Sequence, residues 1–394
     1  MKSTGIIVEY NPFHNGHKHH LEEVKKISKE NIIIAVMSGD FVQRGEPASV
    51  DKITRAKMSL ENGVDMVVEL PSFYSTQNAE IFALGSVGIL DRLKVESVVF
   101  GSESHDIDKL EELAKIVETD NFKDILKLKL KEGKSYPTAH SMAMEEIGSF
   151  DKALSNDILG IEYIKAKNII NPAIKMKTIK RVKVGYHETK TVENIASATG
   201  IRKKILFGEE IQKLVPQATL NNILGKKMVT LKEFYFLIRY EILNNREKLL
   251  KIQDVEEGLE HRLYESAMKN REYENFFDEV MTKRYTQGRI QRVLIHILLG
   301  ITKKLTQEIK KEIPYVRVLG FNEKGQSYLK YLKKNYASEE NSITIITSLK
   351  NIKKDLSDKS RKILEVNEKN SEVYRMIANY ENLKNPLIIR SEEN

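Results

Sequence analysis

Residues 5–17, near the start of the chain, have the sequence GIIVEYNPFHNGH. Its apolar start, Gly5–Val8, predicts a buried strand, and the pattern from His17 to about Ser28 predicts a helix. Between them lies a tight turn that carries two histidines around Gly16. A strand, a turn and a helix in this order place the turn at the carboxyl edge of a parallel sheet, where open α/β folds bind ligands.

The turn carries the H-x-G-H pattern of enzymes that act on the α-phosphate of a nucleoside triphosphate. Free N–H groups and the positive dipole end of the helix attract phosphates, and Gly16 lets the backbone approach them. His14 and His17 can donate hydrogen bonds as negative charge builds up in the transition state. The alternative is a surface turn that happens to hold histidines, because a four-letter pattern is weak by itself.

A second pattern lies downstream, at residues 195–202, with the sequence IASATGIR. It resembles the I-S-S-T-x-x-R motif of nucleotidyltransferases. Hydroxyl residues such as Ser197 would offer donors to phosphates at a helix start, and Arg202 could bind them bidentately. The alternative is an ordinary N-cap formed by Ser197 or Thr199. The two patterns, in this order along the chain, together predict a nucleotidyl-transferring site.

Strand-like and helical runs alternate before the second pattern, and this rhythm predicts a Rossmann-like α/β fold with a parallel sheet. The predicted strands are Gly5–Val8, Ile32–Met37, Met66–Glu69, Ser97–Phe100 and Ile174–Lys183. The predicted helices are His17–Ser28, Asp51–Glu61, Ala79–Leu93, Ile107–Glu118 and, capped at residues 155–157, Ile158–Ile170. We therefore predict a nucleotidyltransferase-like catalytic domain at residues 1–210. Residues 211–394 are predicted to form a basic, mainly helical α+β RNA-binding region, with a small α/β part near residues 316–380.

The charge of the chain is unevenly distributed. The first 200 residues hold 27 Lys and Arg against 29 Asp and Glu, which leaves 37 basic and 27 acidic residues, a net charge of +10, in the remainder. A basic half favours a polyanionic partner such as RNA. A basic run lies at residues 283–292. The RNA phosphate contacts predicted from this basic run are Lys283, Arg284, Arg289 and Arg292. A lysine-rich composition with solvated faces is the alternative.

Cysteine is missing from the 394 residues, which excludes disulfides, thiolate zinc sites and a thioester-forming nucleophile. This fits a reducing cytoplasm. The apolar runs are too short to span a bilayer, so we expect no membrane partner. Four histidines, His14, His17, His19 and His20, could in principle hold zinc. No cysteine or carboxylate lies at matching spacing, so no metal site is predicted.

These stretches together resemble the bacterial tRNA(Met) cytidine acetate ligase family, a member of the H-x-G-H nucleotidyltransferase superfamily. The resemblance spans nearly the whole chain and is carried by residues 8–17, 37–39, 43–48, 100–103, 156–160, 181–187, 195–202 and 284–292. It implies that ATP and acetate form acetyl-adenylate and pyrophosphate. The acetyl group then passes to N4 of the wobble cytidine of elongator tRNA(Met).

The resemblance also implies site residues. Independently of the resemblance, the residue types predict that His14, His17 and Arg202 are catalytic, because they can neutralise phosphate charge, with Mg²⁺ bridging the phosphates. The expected ATP contacts are Ile7, Val8, Glu9, Tyr10, Asn11, Pro12, Phe13, His14, Asn15, Gly16, His17, Lys18, His19, His20, Gly101, Asn156, Arg181, Ser197 and Arg202. We expect the loop Gly39–Pro47, with Arg44, to form the acetate pocket.

Two other functions fit parts of the sequence. A nucleotidyltransferase that acts on a small phosphorylated metabolite would use the same first half but leave the basic half without a role. A non-catalytic RNA-binding protein with a relict nucleotide fold would not need His14, His17 and Arg202. Pyrophosphate release and salt-dependent tRNA binding distinguish these functions.

Overall fold

The computed structural model describes residues 1–29, 31–148, 155–181, 195–282, 285–313, 315–336, 344–349, 356–380 and 385–390. The predicted phosphate contacts Lys283 and Arg284 lie outside the described residues. The strands are β1 (Ser3–Val8), β2 (Ile32–Ser38), β3 (Phe41–Val42), β4 (Glu46–Pro47), β5 (Met66–Leu70), β6 (Ser97–Ser102), β7 (Lys175–Lys180), β8 (Val316–Phe321), β9 (Ile345–Ile346) and β10 (Leu387–Ile388).

The helices of the first half are α1 (Asn15–Ser28), α2 (Lys52–Glu61), α3 (Ser72–Ser75), α4 (Ala79–Arg92), α5 (Ile107–Ile116), α6 (Asp120–Lys131), α7 (Tyr136–Glu146), α8 (Ser155–Ile170) and α9 (Ala198–Leu206). Those of the second half are α10 (Gln217–Ile223), α11 (Tyr235–Asn244), α12 (Leu259–Lys269), α13 (Tyr273–Val280), α14 (Gln287–Leu299), α15 (Lys303–Ile309), α16 (Glu323–Tyr336) and α17 (Asp358–Arg375). Two short 3₁₀ helices, Leu231–Phe234 and Arg246–Lys251, flank α11.

The main sheet has the strand order β10-β8-β5-β2-β1-β6-β7, with β9 added beside β8. Strands β5, β2, β1, β6 and β7 run parallel. The chain builds outward from β1 to β5 on one side and then returns to place β6 on the other side. The carboxyl ends of β1 and β6 therefore flank a topological switch point, where open α/β sheets bind ligands.

The predicted Rossmann-like class is confirmed, since the predicted strands match β1, β2, β5, β6 and β7 within a few residues. All seven residues of β2 are buried, as expected for a strand covered on both faces. The sheet also crosses the predicted division at residue 210. Strand β8, from the second half, pairs antiparallel with β5.

The predicted cap at residues 155–157 is wrong, because helix α8 already begins at Ser155. Asp157 instead reaches across to the end of β6. Its Oδ1 accepts hydrogen bonds from the Ser102 hydroxyl at 2.6 Å and from the Glu103 N–H at 3.0 Å. The first turn of α8 thus fixes the loop that leaves β6.

A fully buried guanidinium holds the strand ends together. Arg55, on α2, has no exposed surface. It donates to the carbonyls of Glu9 at 2.8 Å and Ser38 at 3.0 Å, and also to that of Gly39. Its Nε donates to the Val50 carbonyl at 3.1 Å. One side chain therefore joins the ends of β1 and β2 to the start of α2.

Replacement of Arg55 by Met should lower the free energy of unfolding by at least about 3 kcal/mol, because buried carbonyls would lose their donors. Lys57→Met, on the exposed face of the same helix, is the matched control and should cost less than about 0.5 kcal/mol. Urea unfolding measures both values. Equal stabilities of the two variants would contradict the structural role of Arg55.

Candidate active site

The H-x-G-H turn is fixed by side chains and backbone from distant segments. The Asn11 Oδ1 accepts hydrogen bonds from the Ser49 N–H at 2.7 Å and from the Ser49 hydroxyl at 2.6 Å. On the other side, the Asn15 N–H donates to the Leu214 carbonyl at 3.1 Å, and its side chain donates to the Lys213 carbonyl at 2.8 Å. The turn is therefore held from both sides before any ligand binds.

The two histidines of the turn stack on each other. The ring centroids of His14 and His17 lie 3.7 Å apart at an interplanar angle of 22°. Gly16 packs directly beneath them, since a Cβ there would lie 2.9 Å from the His14 ring and 3.4 Å from Ile195. Any larger residue at position 16 would displace His14 or the segment that carries the second motif.

His14 Nδ1 is buried and has no hydrogen-bond partner among the described residues. The hydroxyl of Ser38, at the end of β2, is also buried and has no hydrogen-bond partner among the residues that the structure describes. Both atoms lie at the carboxyl edge of the sheet, where open α/β folds bind ligands, and can hydrogen-bond to a polar group there.

Burial makes the histidines of the turn hard to protonate. Burial, with a smaller contribution from the charge of Arg181, lowers the pKa of His14 and of His20, on α1, to about 4. Burial also lowers the pKa of His17, with additional contributions from His14, His20 and Arg181. At neutral pH each of these rings is therefore uncharged and has one N–H donor and one acceptor nitrogen.

The β6–β7 side contributes the other expected nucleotide contacts. Gly101 lies next to His20, whose ring would be 3.9 Å from a Cβ at this position. Arg181, just after β7, donates to Asn156 Oδ1, and Asn156 in turn donates to Glu103. The structure therefore brings the sequence-predicted residues Gly101, Asn156 and Arg181 to the histidine turn. Whether each contacts ATP stays a prediction.

The second motif, residues 195–202, lies against the H-x-G-H turn. Ser197 caps α9, because its hydroxyl accepts the Gly200 N–H at 3.1 Å. Arg202 donates from Nη1 to the Asn11 carbonyl at 3.0 Å and from Nη2 to Glu46 at 2.8 Å. The N-cap alternative thus describes Ser197, whereas Arg202 joins the motif to the H-x-G-H turn.

The loop expected to hold acetate forms the small hairpin β3–β4. The exposed Arg44 lies at its tip, and the Gln43 N–H donates to Glu9 Oε1 at 2.8 Å. Burial raises the pKa of Glu9, although the Gln43 N–H and the charges of Arg44 and Arg202 oppose the rise. Glu9 therefore ties the hairpin to the end of β1, and an acetate pocket in this loop stays a prediction.

The basic run is partly neutralised. Arg289 forms an ion pair with Glu256 and lies 4.9 Å from the centre of the Tyr285 ring. Burial lowers the pKa of Arg292, whose Nε lies 3.9 Å from Asp254. Tyr285 is only 7% exposed, so its ring packs inside the protein and is not available to stack on a base. RNA contacts by Arg289 and Arg292 stay predictions.

The described residues include no group of three or more His, Cys, Asp or Glu side chains arranged to hold a metal ion. Mg²⁺ often keeps several waters and is bound by substrate phosphates with only one or two carboxylates. The described side chains form no all-protein cage for Mg²⁺. No described helix is long and apolar enough to cross a bilayer.

Sequence reasoning missed three polar residues that hold the site together. Arg55 hydrogen-bonds to the ends of β1 and β2, Glu46 binds Arg202, and Asp157 binds the loop after β6. Arginine and glutamate are usually solvent-exposed, and their local sequence gives no sign of burial. Asp157 lies in the incorrectly placed cap and Glu46 in the predicted acetate loop, but neither an ion pair nor a hydrogen bond was predicted for them.

The fold and turn place the chain in a known class. A sequence profile of the HIGH Nucleotidyl Transferase family matches residues 1–386, and the chain belongs to this family. A tRNA(Met) cytidine acetate ligase of Fusobacterium nucleatum is 46% identical over 98% of both chains. One of Oceanobacillus iheyensis is 39% identical, over 89% of this chain and 90% of that one. The chain therefore belongs to the tRNA(Met) cytidine acetate ligase family.

A solved structure agrees with this assignment. Thermotoga maritima TmcAL bound with alpha-thio ATP superposes with a TM-score of 0.89 and 32% sequence identity, covering 99% of this chain and all of that chain. The fold of that ATP-analogue complex is thus shared along nearly the whole length of both chains.

We expect the free energy of unfolding to fall as the pH drops from about 6.5 towards 4. Folded His14 and His20 have pKa values of about 4, whereas unfolded histidine titrates near 6.5. Between these pH values the unfolded chain binds more protons, so acid destabilises the folded state and a rise in pH restores it. Each histidine should cost about 1–2 kcal/mol at pH 5 relative to pH 7.

Urea unfolding at pH 5 and pH 7 measures this loss. The variants His14→Asn and His20→Asn should each show a smaller difference between the two pH values than the wild type. His261→Asn, at a side chain that is 61% exposed, is the control. If the loss is unchanged in both turn variants, the histidines are not the source of the acid sensitivity.

Proposed function

We propose that the chain is an ATP-dependent ligase that activates acetate as acetyl-adenylate and transfers the acetyl group to N4 of the wobble cytidine of elongator tRNA(Met). One observation carries the chemistry: the neutral His14, with its buried unpaired nitrogen, lies at the start of α1 beside the β1–β6 switch point. The names of the relatives support the choice of acceptor.

The first step requires neutralisation of negative charge and no protein nucleophile. An acetate oxygen attacks the α-phosphorus, the bond to the bridging oxygen of the β-phosphate breaks, and pyrophosphate leaves with that electron pair. His14 and His17 donate hydrogen bonds to phosphate oxygens as charge moves to the leaving group. The N–H groups at the start of α1 favour the same charge.

The remaining predicted contacts orient the nucleotide. In this proposal Arg202 reaches the β- and γ-phosphates from behind the turn, while Asn156 and Arg181 contact the nucleotide from the β7 side. Gly101 leaves the backbone open beside the nucleoside. Mg²⁺ would supply positive charge that neutralises the phosphate oxygens.

The second step transfers the activated acetyl group. The N4 amine attacks the acetyl carbonyl carbon. The single bond between that carbon and the phosphate oxygen of AMP breaks, AMP leaves with the electron pair, and the amine loses one proton to water. The chain contains no cysteine, so the acetyl group passes directly from the adenylate and not through a thioester. We assign tRNA binding to the basic residues 211–394, which contribute strands to the same sheet.

Pyrophosphate release from ATP, with and without acetate, tests the first step. We expect release that depends on acetate, followed by label from acetate on the tRNA cytidine. His14→Ala should reduce the release at least about 100-fold, since a donor to the transition state is lost. His261→Ala, at a side chain that is 61% exposed on α12, serves as the control.

The outcomes separate the candidate functions. Pyrophosphate release that does not depend on acetate but requires a small phosphorylated metabolite would favour the alternative function, a nucleotidyltransferase that acts on that metabolite. Salt-dependent tRNA binding without any release would favour a relict fold. Either result would overturn the ligase proposal.

The variant Arg289→Gln should weaken tRNA binding and reduce the slope of log affinity against log salt by about 1, while acetyl-adenylate formation stays unchanged. Lys324→Gln, an exposed change on α16, is the control for loss of a charge. Binding measured at several salt concentrations gives the slope. Loss of both tRNA binding and adenylate formation would show that Arg289 is structural.

A further inference from the structure

Glu46 lies between the nucleotide site and the basic helix α14. Its Oε2 accepts the Arg202 Nη2–H at 2.8 Å, and its Oε1 accepts the Gln291 Nε2–H at 3.0 Å. The two carboxylate oxygens thus serve two different segments. The Arg202 side chain is 16% exposed and that of Glu46 is 25% exposed, so solvent screens this ion pair less than a surface pair.

The backbone around Glu46 is seated on the same helix. Gly45 has a positive φ of 77°, and a Cβ there would lie 2.1 Å from the backbone nitrogen of Arg292. Only glycine allows the hairpin to approach α14 this closely. Helix α14 therefore supports Glu46 through both the hairpin backbone and the Gln291 side chain.

Arg202 in turn depends on Glu46 for its orientation. Its guanidinium makes one contact to the Asn11 carbonyl of the H-x-G-H turn and one to the Glu46 carboxylate, with Thr199 at 3.3 Å as a third partner. Arginine can rotate about several bonds, and a fixed carboxylate removes that freedom before a phosphate arrives.

We propose that Glu46 is a positioning residue: braced by Gln291 of α14, it aims Arg202 at the triphosphate. This inference rests on the proposed function, in which Arg202 contacts phosphates. A carboxylate cannot donate a hydrogen bond to a phosphate, so in this proposal Glu46 acts on ATP through Arg202.

Steady-state pyrophosphate release by the full-length protein tests this role. Glu46→Ala should raise the KM for ATP about tenfold, and Glu46→Gln, which keeps one oxygen to accept from Arg202 but loses the charge, about threefold. Gln291→Leu, which removes the brace, should also raise it about threefold. Gln287→Leu, at an exposed position on the same helix, is the control.

A double-mutant cycle separates positioning from a general structural effect. In an Arg202→Met background, Glu46→Ala should change the KM for ATP less than twofold, because the residue through which Glu46 acts is gone. Additive effects of the two substitutions would overturn the inference. Thermal unfolding accompanies each variant, and Glu46→Gln supplies the result if Glu46→Ala does not fold.

The two proposals fail in distinguishable ways. A KM for ATP that is unchanged in Arg202→Met removes the phosphate role of Arg202, and the inference falls with it. An impaired Arg202→Met together with normal Glu46→Ala and Glu46→Gln leaves the proposed function intact and overturns only the role of Glu46.

Discussion

The buried guanidinium of Arg55 is the constraint on which the rest of the site depends. It binds backbone carbonyls at the ends of β1 and β2 and at the start of α2, with no exposure to solvent. A buried cation is tolerated only when it is fully hydrogen-bonded, so these three chain segments must stay together. The H-x-G-H turn and the β3–β4 hairpin both continue from the strand ends that Arg55 fixes.

A second consequence of this geometry is that the two halves of the chain cannot be treated as separate modules. Strand β8 extends the sheet beside β5, and Arg317 on β8 lies 3.3 Å from Glu69 on β5. Glu69 also binds the buried Lys52 at 2.7 Å. The basic second half is therefore built onto the same sheet that carries the nucleotide site, and α14 reaches that site through Glu46.

The sequence predicts the parallel strands well, because runs such as Ile32–Met37 are apolar throughout and are separated by clear helical patterns. It also predicts the position of His14 and His17 at the carboxyl edge of the sheet, because a turn between a parallel strand and a helix lies at that edge. The pairing of β8 with β5 could not be predicted, because no local pattern encodes a contact between residues about 250 positions apart. Arg55, Glu46 and Asp157 were missed for the same reason: their roles depend on partners that are distant along the chain.

The central claim is that the triphosphate of ATP binds the neutral histidine turn. NMR titration of ¹⁵N-labelled histidine side chains, with and without ATP, tests it most directly. His14 should titrate near pH 4 in the free protein, and its pKa should rise by at least one unit when ATP binds, because the phosphates favour the protonated ring. An unchanged His14 titration at saturating ATP would contradict the account.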